Sequence, residues 1–262
     1  MTSVNRPRLT SLYKSKTNKP TVTSAMSDSP IQRYLHDLLR CPIENLPALV
    51  AEAIPPEVQN WLSESSARQQ DFDLLMAAAR QEPYTTEYGE ISHVLENFGS
   101  EEDYGWKELM GCVDAVGTAI HDGDAELEQL GMAIVRLLLE AGDSPNNDYA
   151  IALYSGPLHY ACQEGYLQLA ELLLRYGADP NMEDADMWTP LHFTARDNQP
   201  DCAALLIKSG AIIDAPDIAG WTPLRWAIRF HHENMVALLQ KHGARITEFS
   251  EKDWERYMKK RK

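Results

Sequence analysis

The chain has 262 residues, 44% of them hydrophobic, and a formal net charge of −15, enough for one or two domains with a sizeable core. No apolar run approaches the roughly 20 residues of a membrane span, and no apolar N-terminal stretch suggests a secretory signal. Cys41, Cys112, Cys162 and Cys202 form no C-x-x-C pair, so the expectation is a cytoplasmic chain with reduced thiols. In chain order, residues 1–27 carry five bases and no acid; they read as a disordered basic tail. Helical signals begin at Ser29-Pro30, where Ile31, Tyr34, Leu35, Leu38 and Leu39 recur at helical spacing. Pro42 and Pro47 break that pattern, and Pro55-Pro56 opens a short helix through Trp61-Leu62. Ser65 to Arg80 reads as a helix, as does Tyr84 to Phe98. Residues 28–105 show no strand signal and are expected to form a helical cap on the remainder of the chain.

After an acidic turn at Gly99 to Tyr104, a helix near Glu108 to Ile120 is expected, with Leu109, Val113, Val116 and Ile120 on its apolar face. Asp122-Gly123-Asp124 reads as turn and helix cap, and Leu127, Leu130, Ile134, Val135 and Leu138 form the next stripe. From there one phrase occurs three times: Gly156-Pro157-Leu158-His159-Tyr160-Ala161, Thr189-Pro190-Leu191-His192-Phe193-Thr194 and Thr222-Pro223-Leu224-Arg225-Trp226-Ala227. The prolines at 157, 190 and 223 step by 33 residues, and so do Gly177-Ala178, Gly210-Ala211 and Gly243-Ala244. Two independent markers at one period identify a stacked repeat. The residue types suit a helix–turn–helix unit. Thr189 and Thr222 suit helix caps, and the prolines suit the first helical turn. Apolar runs such as Leu172-Leu173-Leu174 are followed shortly by a helix-closing glycine. The final stretch 248–262 is expected to be a helix capped at Ser250, anchored by Trp254 and Tyr257.

The period and the T-P-L-H phrase resemble the ankyrin repeat. The resemblance implies an all-α repeat solenoid over residues 106–247. Leu137 to Asn146 echoes Leu172 to Asn181 at an offset of 35, which marks a degenerate unit ahead of the three clear ones. Gly156 replaces the capping threonine, Met187 stands where the family prefers glycine, and Arg225 replaces the histidine. The resemblance assigns His159 and His192 a structural hydrogen-bonding role. It also places partner contacts on the loop tips and first-helix ends. Those are Asp186, Trp188, Ala219 and Trp221, with Ala185 and Ile218 beside them, and Glu164, Arg196, Asp197, Arg229 and Phe230. Trp188 and Trp221 have an alternative role, stacking on each other to stiffen the loops. Tyr160, Phe193 and Trp226 also recur at the period and are expected in the core between repeats.

The charge is uneven. Between Gln81 and Leu174 there are eighteen acids and two bases, Lys107 and Arg136. That excess argues against direct nucleic-acid binding and favours a basic protein partner; plain solubility is the competing explanation. No catalytic residues, cofactor or metal site is expected. His231-His232 are adjacent and do not face one direction on a helix. There is no G-x-x-x-x-G-K-S/T, G-x-G-x-x-G or G-x-S-x-G. The reading is therefore a non-enzymatic binder of a basic protein, a toxin or a nucleic-acid-binding protein, with an immunity protein against a bacterial toxin as its specific form. A eukaryotic-like adaptor or secreted effector, and an enzyme with its activity in the N-terminal helices, are the alternatives.

Overall fold

A computed structural model of the chain describes residues 29–40, 54–80, 108–146 and 156–245. The tail 1–27, Cys41, the helix expected at 84–98, the acidic turn after it and the final helix with Trp254 and Tyr257 lie outside the described residues. Among those described there are eleven helices and no strand. They are α1 (Pro30–Arg40), α2 (Pro56–Ser63), α3 (Ser66–Arg80), α4 (Glu108–Asp122), α5 (Ala125–Ala141), α6 (Pro157–Glu164), α7 (Leu167–Arg175), α8 (Pro190–Asp197), α9 (Pro200–Lys208), α10 (Pro223–Arg229) and α11 (Glu233–Lys241).

The N-terminal helices start where the sequence puts its punctuation. Ser29 Oγ accepts from the Gln32 N–H at 3.1 Å while Gln32 Oε1 accepts from the Ser29 N–H at 2.9 Å, a reciprocal cap that satisfies two orphan donors. Leu35, Leu38, Leu39, Val58, Trp61, Leu62, Phe72, Leu75 and Met76 are buried. They join the same apolar core as the repeats. α1 and α3 meet the stack on α5. Two ion pairs fix that junction: Arg136 Nη1 donates to Asp71 at 2.5 and 2.7 Å, and Arg68 Nε donates to Glu140 Oε2 at 2.6 Å. Glu140 Oε1 also accepts from Tyr176 Oη at 2.7 Å, tying α5 to the end of α7. Burial, then the Glu140 bond, pushes the Tyr176 phenol up to about 12.

The repeats stack as two rows. α4, α6, α8 and α10 follow one another as first helices, and α7, α9 and α11 as second helices. Each second helix closes alike. Gly177 N–H donates to the Leu174 carbonyl at 3.1 Å and Ala178 N–H to that of Leu173 at 3.0 Å; Gly210-Ala211 and Gly243-Ala244 repeat the pair. This is the Schellman closure, which explains why glycine-alanine recurs with the period. Neighbouring units are stitched by an amide ladder. Asn146 bridges Gly177 C=O and Asp179 N–H at 3.0 and 2.8 Å, and Asn181 bridges Gly210 C=O and Ile212 N–H at 3.1 and 2.7 Å. Asp214 then accepts from Arg245 N–H at 3.0 Å. Asn146 thus behaves as its counterpart Asn181 does, although α4 lacks the proline phrase. Where α4 meets α6, Gly117 permits the approach. A Cβ there would stand 2.7 Å from Tyr160 Oη and from the Tyr166 ring, and Tyr166 Oη donates to Gly117 C=O at 2.9 Å.

The departures from the family phrase have local consequences. Met187 has φ 59° where its counterpart one repeat later, Gly220, has φ 75°. The left-handed turn is therefore kept without the residue that favours it, at about 1 kcal/mol of backbone strain. Met187→Gly is expected to raise stability by roughly 0.5–1 kcal/mol in urea unfolding. An unchanged or lower midpoint would show that the turn is unstrained. Thr222 caps as expected, Oγ1 accepting from the Arg225 N–H at 3.4 Å. Thr189 occupies the cap position, but its hydroxyl lies 2.9 Å from His192 Nδ1 instead.

Candidate functional site

The site is built on two loops and the three first helices α6, α8 and α10. In the first loop, Asp184 Oδ1 accepts from Asp186 N–H at 2.9 Å and Trp188 N–H at 2.8 Å. In the second, Asp217 Oδ1 accepts from Ala219 N–H at 2.9 Å and Trp221 N–H at 2.7 Å. Each loop also pairs its aspartate N–H with the tryptophan C=O, at 3.0 and 2.8 Å. The tips are joined by Ile218 N–H donating to Asp186 C=O at 3.0 Å. An aspartate four residues before each tryptophan, repeating at 33, was the legible signal for this geometry.

The histidines of the repeat phrase hold the loops from below. His159 Nδ1 accepts from Gly156 N–H at 3.0 Å, and His192 Nδ1 from Thr189 N–H at 3.1 Å. A backbone N–H only donates, so Nδ1 is unprotonated and Nε2 carries the hydrogen. His159 Nε2 then donates to Met182 C=O at 2.9 Å and to Trp188 C=O at 3.2 Å, and His192 Nε2 to Trp221 C=O at 3.0 Å. Each imidazole therefore links the start of one repeat to the loop of the next, the structural role implied by the resemblance.

Burial, above all, lowers both imidazoles below their ordinary range; the carboxylate of Asp184 and the carbonyl bonds pull partly back. The unfolded chain takes up protons at these rings near pH 6.5 while the folded chain resists them. The unfolded state then binds more protons, so the contribution of these two rings to folding stability falls as pH drops below about 6.5 and is constant above it. The urea midpoint is expected to be lower at pH 5.5 than at 7.5, with a shallower pH slope in His159→Gln. A slope identical in the variant would show that other groups carry it.

Above the histidines runs a continuous set of rings. Trp226 is its centre, 4.6 Å from Trp188, 4.8 Å from Trp221 and 5.9 Å from Phe230 between ring centroids, the last pair nearly parallel at 15°. Trp188 also meets Phe193 edge-on at 5.2 Å. Trp226 Nε1 donates to Asp217 Oδ2 at 2.9 Å, so one buried carboxylate holds both loop and ring. Two guanidiniums lie on the run: Arg225 3.7 Å over Trp221, and Arg196 5.2 Å over Trp188 and 5.0 Å over Phe193. Arg196 also pairs with Asp197 at 2.6 Å.

The structure gathers Trp188, Trp221, Arg196, Asp197 and Phe230 around one ring system and sets Asp186 and Ala219 on the exposed tips beside it. Glu164 and Arg229 are exposed at the ends of α6 and α10, outside the ring contacts. Two expectations change. Trp188 and Trp221 do not stack on each other; Trp226 lies between them. Trp226 and Tyr160 are only half-buried and pack against the edge of the core, whereas Phe193 is buried as expected. The Trp226 ring reaches the loop as well as the core, through its bond to Asp217. Apolar side chains are exposed around this run: Met187 at 37%, Phe230 at 46% and Ile218 at 69%.

Cys112, Cys162 and Cys202 are buried free thiols. Burial, then Asp143, pushes Cys112 up. Burial, then the contact with Cys202, pushes Cys162 up, and that contact lowers Cys202. Among the described residues no group of three His, Cys, Asp or Glu side chains is placed to hold a metal ion. No helix among them is long and apolar enough to cross a membrane.

Compared with known families, residues 158–250 match the model for ankyrin repeats, in three copies. No curated protein matches the chain significantly. The matched segment covers the three clear units. Ankyrin repeats are protein-interaction modules, so a protein partner is implied.

Proposed function

With the three ankyrin repeats as premise, we propose that the chain is a non-enzymatic, cytoplasmic protein-binding module that takes its partner on the loop-tip and first-helix face of the stack. The helix pair α4–α5 serves as a fourth, degenerate layer, and α1–α3 act as its N-terminal cap. The observation that carries the reading is the ring run of half-buried Trp188, Trp226 and Trp221 with exposed Phe230 on Trp226, flanked by Arg196 and Arg225. Tryptophan and arginine with large, partly desolvated area dominate binding hot spots. The loops that present them are fixed by the carboxylates of Asp184 and Asp217 and by buried imidazoles, so little entropy is lost on docking.

The acidity of the N-terminal layers supports a partner with a basic surface, drawn in by the field. The specific form of the reading is an inhibitor that masks a basic protein, as an immunity protein masks a toxin. The test is the affinity of the partner captured from the native source for Trp188→Ala with Trp221→Ala. A drop of about thirtyfold or more, with helicity near wild type and the protein still folded at the assay temperature, is the expected result. Unchanged affinity would place the partner elsewhere on the stack.

A further inference from the structure

The charge of the stack changes sign along its axis. Residues 108–146 hold eight acids and one base, and residues 156–188 six acids and one base. Residues 189–221 hold four acids and two bases, and residues 222–245 one acid and four bases. Because α4, α6, α8 and α10 are consecutive layers, these counts become a position-ordered gradient from strongly negative to positive. The face carrying the ring run repeats the gradient in miniature. At the ends of successive first helices stand Gln163-Glu164, Arg196-Asp197 and Arg229-Phe230. The middle pair is neutralised by its own ion pair at 2.6 Å. That leaves a negative charge at Glu164, none at the centre and a positive charge at Arg229, with Trp226 and Phe230 as the apolar surface beside them.

Resting on the reading of this face as the partner site, we propose that it takes a bipolar segment of a protein partner. The basic end of the segment lies over α4 and α6, its apolar centre on the Trp226 rings, and its acidic end at Arg229. A uniformly basic segment would bring its own cations against the third repeat. A second copy of this chain is disfavoured by the net charge of −15 on each molecule. Nucleic acid would meet the acidic layers with like charge. Adjacent first helices lie about 10 Å apart, so α4 to α10 spans roughly 30 Å. That is the reach of about nine extended residues.

The test uses the full chain and three fluorescein-labelled peptides of about twelve residues with one shared apolar centre. One has a lysine block at one end and a glutamate block at the other; the second has lysine blocks at both ends, the third glutamate blocks. In fluorescence anisotropy at low salt, the bipolar peptide is expected to bind roughly fivefold more tightly than the all-lysine one, and the all-glutamate peptide weakest. Arg229→Glu should reverse the preference between the first two. Lys208→Glu, the same charge change on the second helix α9, should leave it. Equal or tighter binding of the all-lysine peptide to the wild type overturns the proposal. So does a preference that Arg229→Glu fails to reverse, or the absence of binding by any peptide. The Trp188→Ala, Trp221→Ala protein separates the two levels. Binding that depends on the tryptophans but shows no charge preference defeats only the polarity. Bipolar binding insensitive to the tryptophans defeats the face itself.

Discussion

Replacing His192 by alanine is expected to lower folding stability by about 3 kcal/mol, one of the two largest single-residue effects in the stack. The ring is fully buried and makes bonds in two repeats. Its removal leaves the Thr189 N–H without its partner and takes one of two donors from the Trp221 C=O, which keeps the Asp217 N–H. A buried backbone group left unsatisfied costs about 1–3 kcal/mol, and the vacated ring volume adds to that. For a described body of this size the loss corresponds to roughly 10 °C in Tm. The loss should also be local. In a nearest-neighbour stack, weakening one interface uncouples the layers on its far side. Amide exchange in α10 and α11 is therefore expected to accelerate more than in α6 and α7. A loss below about 1 kcal/mol with uniform exchange would mean that the ring is a bystander.

The second large effect is expected at Trp226. Alanine there removes the ring that separates Trp188 from Trp221 and supports Phe230, and the donor to Asp217 Oδ2. The side chain is half-buried, so the stability cost is set at the low end of tryptophan truncation, about 3 kcal/mol. Trp226→Phe keeps a ring in place and loses the indole bond, for about 1 kcal/mol. Asp217 retains its two bonds to the loop backbone in both variants, so the loop is expected to persist. Partner affinity then reads the role of the run. Alanine should weaken it about thirtyfold or more, phenylalanine far less. Near-ultraviolet circular dichroism reports the ring coupling. Its collapse with affinity intact would make the run purely a brace.

The repeats were legible because their determinants are local and recur. Proline at the helix start, the glycine-alanine closure and the apolar run each act within one unit, so the period reveals them without any knowledge of neighbours. The imidazoles were assigned correctly only through resemblance; their partners lie 23 and 29 residues away, a distance at which spacing says nothing about hydrogen bonds. That Trp226 is only half-buried was not legible for a related reason. Its position in the phrase is that of Tyr160 and Phe193, and period alone makes the three equivalent. Their surroundings differ, since Trp226 is met by a tryptophan from each of two adjacent loops.

The order of the helices, the three matching units and the kinds of residue at the loop tips were determined by the sequence alone, because each depends on backbone preferences spanning a few residues. Which side chains share a face was decided by the stacking. Trp188, Trp221, Trp226 and Phe230 became one surface, and scattered acids and bases became an ordered gradient, only when successive layers were laid against one another. Through-space contact and field depend on that layering, which composition and spacing do not contain.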